Sequence, residues 1–194
     1  LNFDTAVFYW INAHLQSHWL QLFMEYLTEK KSFIFPFGYV VVLLLLGLGR
    51  RGVVFLLVAT ATVILDDVVL HYIFKPLVAR IRPCHVVDIL RHMSHCSNSY
   101  SFPSNHAGNA FTLATLAGLC IPNSRLFGFT LASLICYSRV HLGQHYPSDV
   151  FAGALCGILM GYLGYRFNVY LCARFPAIAR GPSRPAHAKP TEPA

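Results

Sequence analysis

Apolar residues in this chain gather into long runs separated by short polar joints. The runs are Phe33 to Gly49, Val53 to Phe74, His106 to Ile121, Arg125 to Leu142 and Val150 to Leu171. A helix needs roughly 20 residues to cross about 30 Å of hydrocarbon, and each run is near that length, although the third is short. The pattern predicts an all-α fold: a polytopic membrane helical bundle with five transmembrane helices.

The segment before the first run is textured differently. From Leu1 to Glu29, Phe3, Phe8, Trp10, Trp19, Phe23 and Tyr26 interleave with Asp4, Asn12, His14, His18, Gln21 and Glu25. Such a two-faced, aromatic-rich stretch predicts an interfacial amphipathic helix, and a sixth span is the alternative. It has neither a basic start nor a small-residue cleavage site, so it does not read as a signal peptide. Pro176 to Ala194 is rich in Pro, Ala and Arg and offers little to bury. The expected organisation is one integral-membrane domain over residues 1–175 and a disordered basic tail over 176–194.

Composition agrees with a lipid environment. Of 194 residues, 55% are apolar and 12% are charged, about half the usual charged share. A net charge of +7 would fit nucleic acid in a soluble protein, but in a membrane protein it is read from where the cations sit, and no nucleic acid is expected. Arg50, Arg51, Arg125, Arg166, Arg174 and the tail cations Arg180, Arg184 and Lys189 fall on one face, which the positive-inside rule assigns to the cytoplasm. The opposite face carries Lys30, Lys31, Lys75, Arg80, Arg82, Arg91 and Arg139. Cations on an outer face need a functional reason.

Three segments on that outer face supply one. They are Lys75 to Pro83, Pro103-Ser104-Asn105-His106, and Ser138 to Asp149. Lys75, Arg82 and Arg139 offer fixed charge and forked donors suited to a tetrahedral oxyanion. Ser104 stands at an N-cap position, so the N–H groups of Asn105 and His106 would face a bound anion. Asp149 follows His145 by four residues and can hold one imidazole nitrogen, leaving the other as a lone pair for attack on phosphorus. His106 has no carboxylate close in sequence and suits protonation of the leaving oxygen, then deprotonation of a water. His141 has no carboxylate four residues on and is not chosen. Protein cations carry the charge stabilisation, so no metal or other cofactor is expected.

Lys, six residues, Arg-Pro; then Pro-Ser-x-His; then Ser-Arg, five residues, His, three residues, Asp resembles the three-part signature of the type 2 phosphatidic acid phosphatase superfamily. The match runs from Lys75 to Asp149, and the flanking apolar helices resemble its bacterial membrane branch. The resemblance implies His145 as nucleophile, Asp149 as its orienting partner and His106 as acid and base. It implies Lys75, Arg82, Ser104, Asn105 and Arg139 as phosphate binders. It also implies metal-independent cleavage of a lipid phosphate monoester or pyrophosphate, and with the cation asymmetry the expected place is a bacterial inner membrane with the site on the periplasmic or outer face. Candidate substrates are an isoprenoid pyrophosphate, phosphatidylglycerol phosphate, phosphatidate or a lipid A type glycolipid. Transfer of the phosphoryl group to another lipid, and non-catalytic binding of lipid phosphates, are the alternatives. One position departs from the pattern: Asn105 stands where glycine is usual. Asn tolerates positive φ best among non-glycine residues, and its side chain is expected to narrow the pocket.

Other polar residues stay open. Asp66, Asp67 and His71 lie inside the second run, where they fit either the border of a pocket or a helix-packing hydrogen-bond cluster. Lys75, Arg80 and Arg82 taken singly also read as interfacial anchors. Cys84 and Cys96, near His85, His92 and His95, allow a disulfide or a zinc site, and the spacing matches no zinc pattern. Cys120, Cys136, Cys156 and Cys172 read as small apolar fillers.

Overall fold

The computed structural model describes residues 3–15, 17–86 and 96–175. Among these the protein is wholly helical. The elements are α1 (Phe3–His14), α2 (His18–Thr28), a 3-10 turn (Lys30–Phe33), α3 (Ile34–Leu48), α4 (Arg50–Val68), a π-helical turn (Val69–Phe74), α5 (Lys75–Val78), α6 (Pro83–Val86), α7 (Asn105–Cys120), α8 (Ser124–His141) and α9 (Pro147–Arg174). The expected tail over 176–194 lies outside the described residues, as do Arg91, His92 and His95.

The N-terminal segment is two helices, not the single one its pattern predicts. Ser17 adopts an extended backbone, and its Oγ accepts the N–H of Leu20 at 3.2 Å. A hydroxyl that caps the second helix thereby ends the first. Both pieces dock on the bundle, α1 against α8 and α9, and α2 against α8. Phe8 is fully buried beside the Tyr146 ring, and Asn12 Nδ2 donates to the carbonyl of Val140 at 3.2 Å. Phe3, Trp10, Trp19 and Tyr26 remain exposed on the other side.

The second apolar run ends later than its hydropathy suggests. The helix continues past Phe74 through a π turn into α5, so Lys75 sits on a helix and not in a loop. Pro76 has no N–H for the helical ladder, and the widened turn lies just before it. The chain leaves the helix at Ala79, at φ 49°.

Around this frame the usual polarity of a protein is inverted. Lys75 is 4% exposed, while Leu77, two residues on, is 77% exposed and Leu46 is 76% exposed. Buried cations inside and bare leucines outside match a bundle whose solvent is lipid. Arg50–Val86 and Pro147–Arg174 are long and apolar enough to cross a membrane, and the apolar helix Gly38–Leu48 is shorter.

α7 is the central helix, packed on α9, α8 and α4. Small residues set its distance from α9. A Cβ on Gly153 would stand 2.4 Å from the carbonyl oxygen of Ser104, and one on Gly157 would stand 2.2 Å from that of Gly108. Backbone meets backbone there, as in close membrane helix pairs. The contact brings the first turns of α7 and α9 together, and Ser104 N–H donates to the Asp149 carbonyl at 3.0 Å.

Candidate active site

At one end of the bundle four starts and ends of helices converge, and the polar residues of the three sequence segments come with them. His145 lies in the turn between α8 and α9 and is 1% exposed. Its Nδ1 faces Asp149 Oδ2 at 3.6 Å and Ser101 Oγ at 3.4 Å. On the other side, Nη1 of Arg82 stands 3.1 Å from Nε2. Arginine can only donate, so Nε2 is the acceptor and the proton belongs on Nδ1. Burial pushes this imidazole down to about 3, with Arg82 and Arg139 adding to the effect and Asp149 opposing it. His145 is therefore neutral near pH 7, with a lone pair on the nitrogen that faces the cations.

Asp149, the third residue of α9, is fully buried and densely bonded. Oδ2 accepts from Ser101 Oγ at 2.5 Å and from the Tyr146 N–H at 2.9 Å. Oδ1 accepts from Arg80 Nη1 at 2.7 Å. A buried carboxylate beside a neutral imidazole needs a cation, and Arg80 supplies it.

The remaining cations are fixed by backbone carbonyls and hydroxyls. Lys75 Nζ donates to the carbonyls of Tyr100 and Pro103 at 2.6 and 3.2 Å. Arg82 donates from Nε to the Ser99 carbonyl at 2.7 Å and from Nη2 to Ser99 Oγ at 3.0 Å. Arg139, near the end of α8, donates from Nη1 to Thr28 Oγ1 at 2.5 Å, and its buried Nε has no hydrogen-bond partner among the described residues. Lys75, Arg82 and Arg139 all lie within electrostatic reach of one another. Three buried cations so close repel one another, a cost that a bound anion relieves.

Ser104 caps α7, with Oγ 3.5 Å from the Ala107 N–H. The N–H groups of Asn105 and His106 precede the first intrahelical bond, which Gly108 makes to the Ser104 carbonyl at 3.0 Å. His106 is half-buried at the second position of the helix. Asn105 behaves differently from expectation. Its φ is not positive, because the position is the first helical residue. Its side chain turns to α4, where Nδ2 donates to Asp67 Oδ1 at 2.7 Å, and Asn109 Nδ2 donates to the same oxygen at 3.3 Å. A paired carboxylate, not the phosphate pocket, holds the side chain. Asp67 thus enters the site's border, whereas Asp66 is fully buried against Gly108.

Cys84 and Cys96 form a disulfide, with Cα atoms 6.1 Å apart. Bonded sulfurs are not thiolates, so the zinc alternative at these cysteines is set aside. The bridge flanks the Ser97 and Ser99 stretch that holds Arg82. His141 lies buried beside Tyr137, with ring centroids 5.7 Å apart.

Sequence reading missed Ser101, Arg80, Asp4 and Thr28. Arg80, an outer-face cation that taken singly also reads as an interfacial anchor, lies over the Tyr146 ring at 3.9 Å and bonds two carboxylates. Ser101, two residues before the Pro103-Ser104 pair, carries no signal of its own.

The chain is similar to known proteins in sequence and in fold. Over 97% of this chain and 87% of its own length, the lipid A 4'-phosphatase of Bacteroides thetaiotaomicron is 29% identical. Two solved structures superpose with a TM-score of 0.63 at 25% identity: a transmembrane PAP2 type phosphatidylglycerolphosphate phosphatase from Bacillus subtilis, covering 87% of this chain and 85% of that one, and Aquifex aeolicus LpxE, covering 86% and 96%. Residues 52–171, most of the described bundle and all three polar segments, match the PAP2 superfamily, and the chain belongs to that family.

Proposed function

We propose that this membrane phosphatase hydrolyses a phosphate monoester on a lipid through a phosphohistidine on His145, without a metal ion. The observation that carries the reading is buried His145 with Nε2 against Arg82 Nη1, and Lys75 and Arg139 within electrostatic reach of that arginine. A phosphate entering there would take over the donors of Arg82 and the open Nε of Arg139. Nε2 attacks phosphorus as the bond to the ester oxygen breaks, and His106 gives that oxygen its proton. Asp149 stabilises the positive charge that grows on the ring. Ser104, the N–H groups of Asn105 and His106 and the three cations hold the charge on the phosphoryl oxygens. His106 then takes a proton from water, which attacks phosphorus, and His145 leaves with inorganic phosphate as product.

For the substrate we favour a phosphorylated glycolipid of the lipid A type. Two points support this: similarity to a lipid A 4'-phosphatase along nearly the whole chain, and the amide and carboxylate border formed by Asn105, Asn109 and Asp67, which suits hydroxyl groups of a sugar. Helix α3, the α4 to α5 helix, α7, α8 and α9 make five spans in this reading, with α1 and α2 at the interface. A Cys84–Cys96 disulfide suits an oxidising compartment, and Arg50, Arg51, Arg166 and Arg174 lie at the opposite end, so the site faces the outer side of an inner membrane.

Phosphate release from purified protein tests this, using a lipid A type glycolipid, phosphatidylglycerol phosphate, undecaprenyl pyrophosphate and phosphatidate, each with and without chelator. Chelator-insensitive release, fastest with the glycolipid and abolished by His145→Ala, is expected. A newly phosphorylated lipid would indicate transfer instead, and binding without turnover would indicate a lipid-phosphate carrier.

A further inference from the structure

The N-terminal helix reaches the back of the candidate site through one residue. Asp4, in the first turn of α1, accepts from Arg80 Nη2 at 2.5 Å and from Ser148 Oγ at 2.7 Å. Its other oxygen accepts the Ser148 N–H at 2.8 Å. Ser148 is the second residue of α9, so Asp4 caps that helix from outside and places negative charge at the positive end of its dipole. Arg80 stands between the two carboxylates. It bonds Asp4 with one nitrogen and Asp149 and Ser148 with the other, while its guanidinium lies over Tyr146.

The consequence follows from burial. Asp149 Oδ2 is spoken for by Ser101 and the Tyr146 N–H, and it is the oxygen that faces His145. Oδ1 rests on Arg80 alone among the side chains described here. Without that cation, a fully buried carboxylate would either take up a proton or turn toward another donor. Either event removes the charge that orients His145 and stabilises its imidazolium. Arg80 is 25% exposed in its side chain and sits on a short connection after α5, so it needs its own restraint. Asp4 provides that restraint from a different part of the chain.

We propose that Arg80 and Asp4 are positioning residues for the reaction: Arg80 fixes Asp149 behind His145, and Asp4, carried by the N-terminal helix, fixes Arg80 and the start of α9. The proposal rests on the phosphohistidine reading above. It makes the N-terminal helix part of the catalytic apparatus through the bonds of Asp4 to Arg80 and Ser148.

The test is steady-state phosphate release by the purified full chain and its variants, with the thermal midpoint recorded for each. Arg80→Gln should lower kcat by about 100-fold, with KM within about twofold, because the lost cation lies behind Asp149 and not on the substrate. Arg80→Lys should recover about tenfold of that loss, since a single charge returns without the fork. Asp4→Asn should lower kcat by about tenfold, and Asp4→Asn with Arg80→Gln should lose less than the product of the two single losses, because part of what Asp4 does passes through Arg80. A rise in KM at unchanged kcat would make Arg80 a phosphate binder and overturn the proposal. So would losses that multiply in the double variant, or losses that follow the thermal midpoint with no recovery in Arg80→Lys. Should wild-type turnover survive His145→Ala, the underlying reading fails. Should turnover depend on His145 while Arg80→Gln leaves kcat intact, this proposal fails alone.

Discussion

Arg82 donates from Nη1 to Nε2 of His145 across 3.1 Å, so the cation proposed to bind phosphate rests on the nitrogen proposed to attack it. Phosphate entry must trade this contact for one between Arg82 and a phosphoryl oxygen. Arg82→Lys keeps the charge but loses the fork that also grips Ser99. KM should rise by about tenfold or more, with a smaller fall in kcat, in a steady-state assay of phosphate release.

The same contact fixes a tautomer. Nitrogen-15 histidine spectra of the ligand-free protein should show one protonated and one unprotonated ring nitrogen for His145 across pH 5 to 8. The sign follows from burial, which lowers the folded-state value to about 3. Between that value and about 6.5 the unfolded chain binds the additional proton, so His145 contributes stability above about pH 6.5 that is lost as pH falls toward 3. An imidazolium signal at pH 7 would contradict the neutral nucleophile.

Much of the fold is legible in the sequence. The five apolar runs correspond to α3, the α4 to α5 helix, α7, α8 and α9, because lipid demands long apolar helices and leaves few other ways to bury a backbone. His145 and Asp149 are four residues apart, so a single helix start brings them together. The pairing of Arg80 with Asp4 is not legible in the sequence, since 76 residues separate them and nothing local joins the two. Nor is the role of Asn105, whose partner Asp67 lies on another helix. Ser17, a capping residue in a segment otherwise continuous in texture, is the signal that would have divided the N-terminal helix.

Asn105 and Asp67 give the substrate reading its own test. Asn105→Gly removes the bond to Asp67 while leaving the helix start in place. The kcat/KM for a lipid A type glycolipid should fall by about tenfold, with that for phosphatidate changed by less than about twofold. Equal losses on both would assign Asn105 to the phosphate and not to the head group.

The Cys84–Cys96 bridge closes the segment that carries Ser97 and Ser99 back to Arg82. Cys84→Ser with Cys96→Ser should lower stability by about 2 to 4 kcal/mol and raise KM several-fold, with little change in kcat. Thermal unfolding and phosphate release in matched detergent measure both.

Helix contact at Gly157 carries the geometry from the bundle to the site. Gly157→Ala would place a methyl group 2.2 Å from the Gly108 carbonyl oxygen, so α7 and α9 must part. The thermal midpoint and kcat should fall together, whereas Gly38→Ala, with open space around it, should leave both unchanged.

Rapid-quench labelling with a lipid substrate carrying radioactive phosphate, followed by mapping of the labelled peptide under alkaline conditions, bears most directly on the mechanism. Label should appear on His145 within the first turnover, decay as free phosphate is released in the presence of chelator, and vanish in His145→Ala. Phosphate release with no label on His145, or turnover that stops when metal is removed, would contradict it.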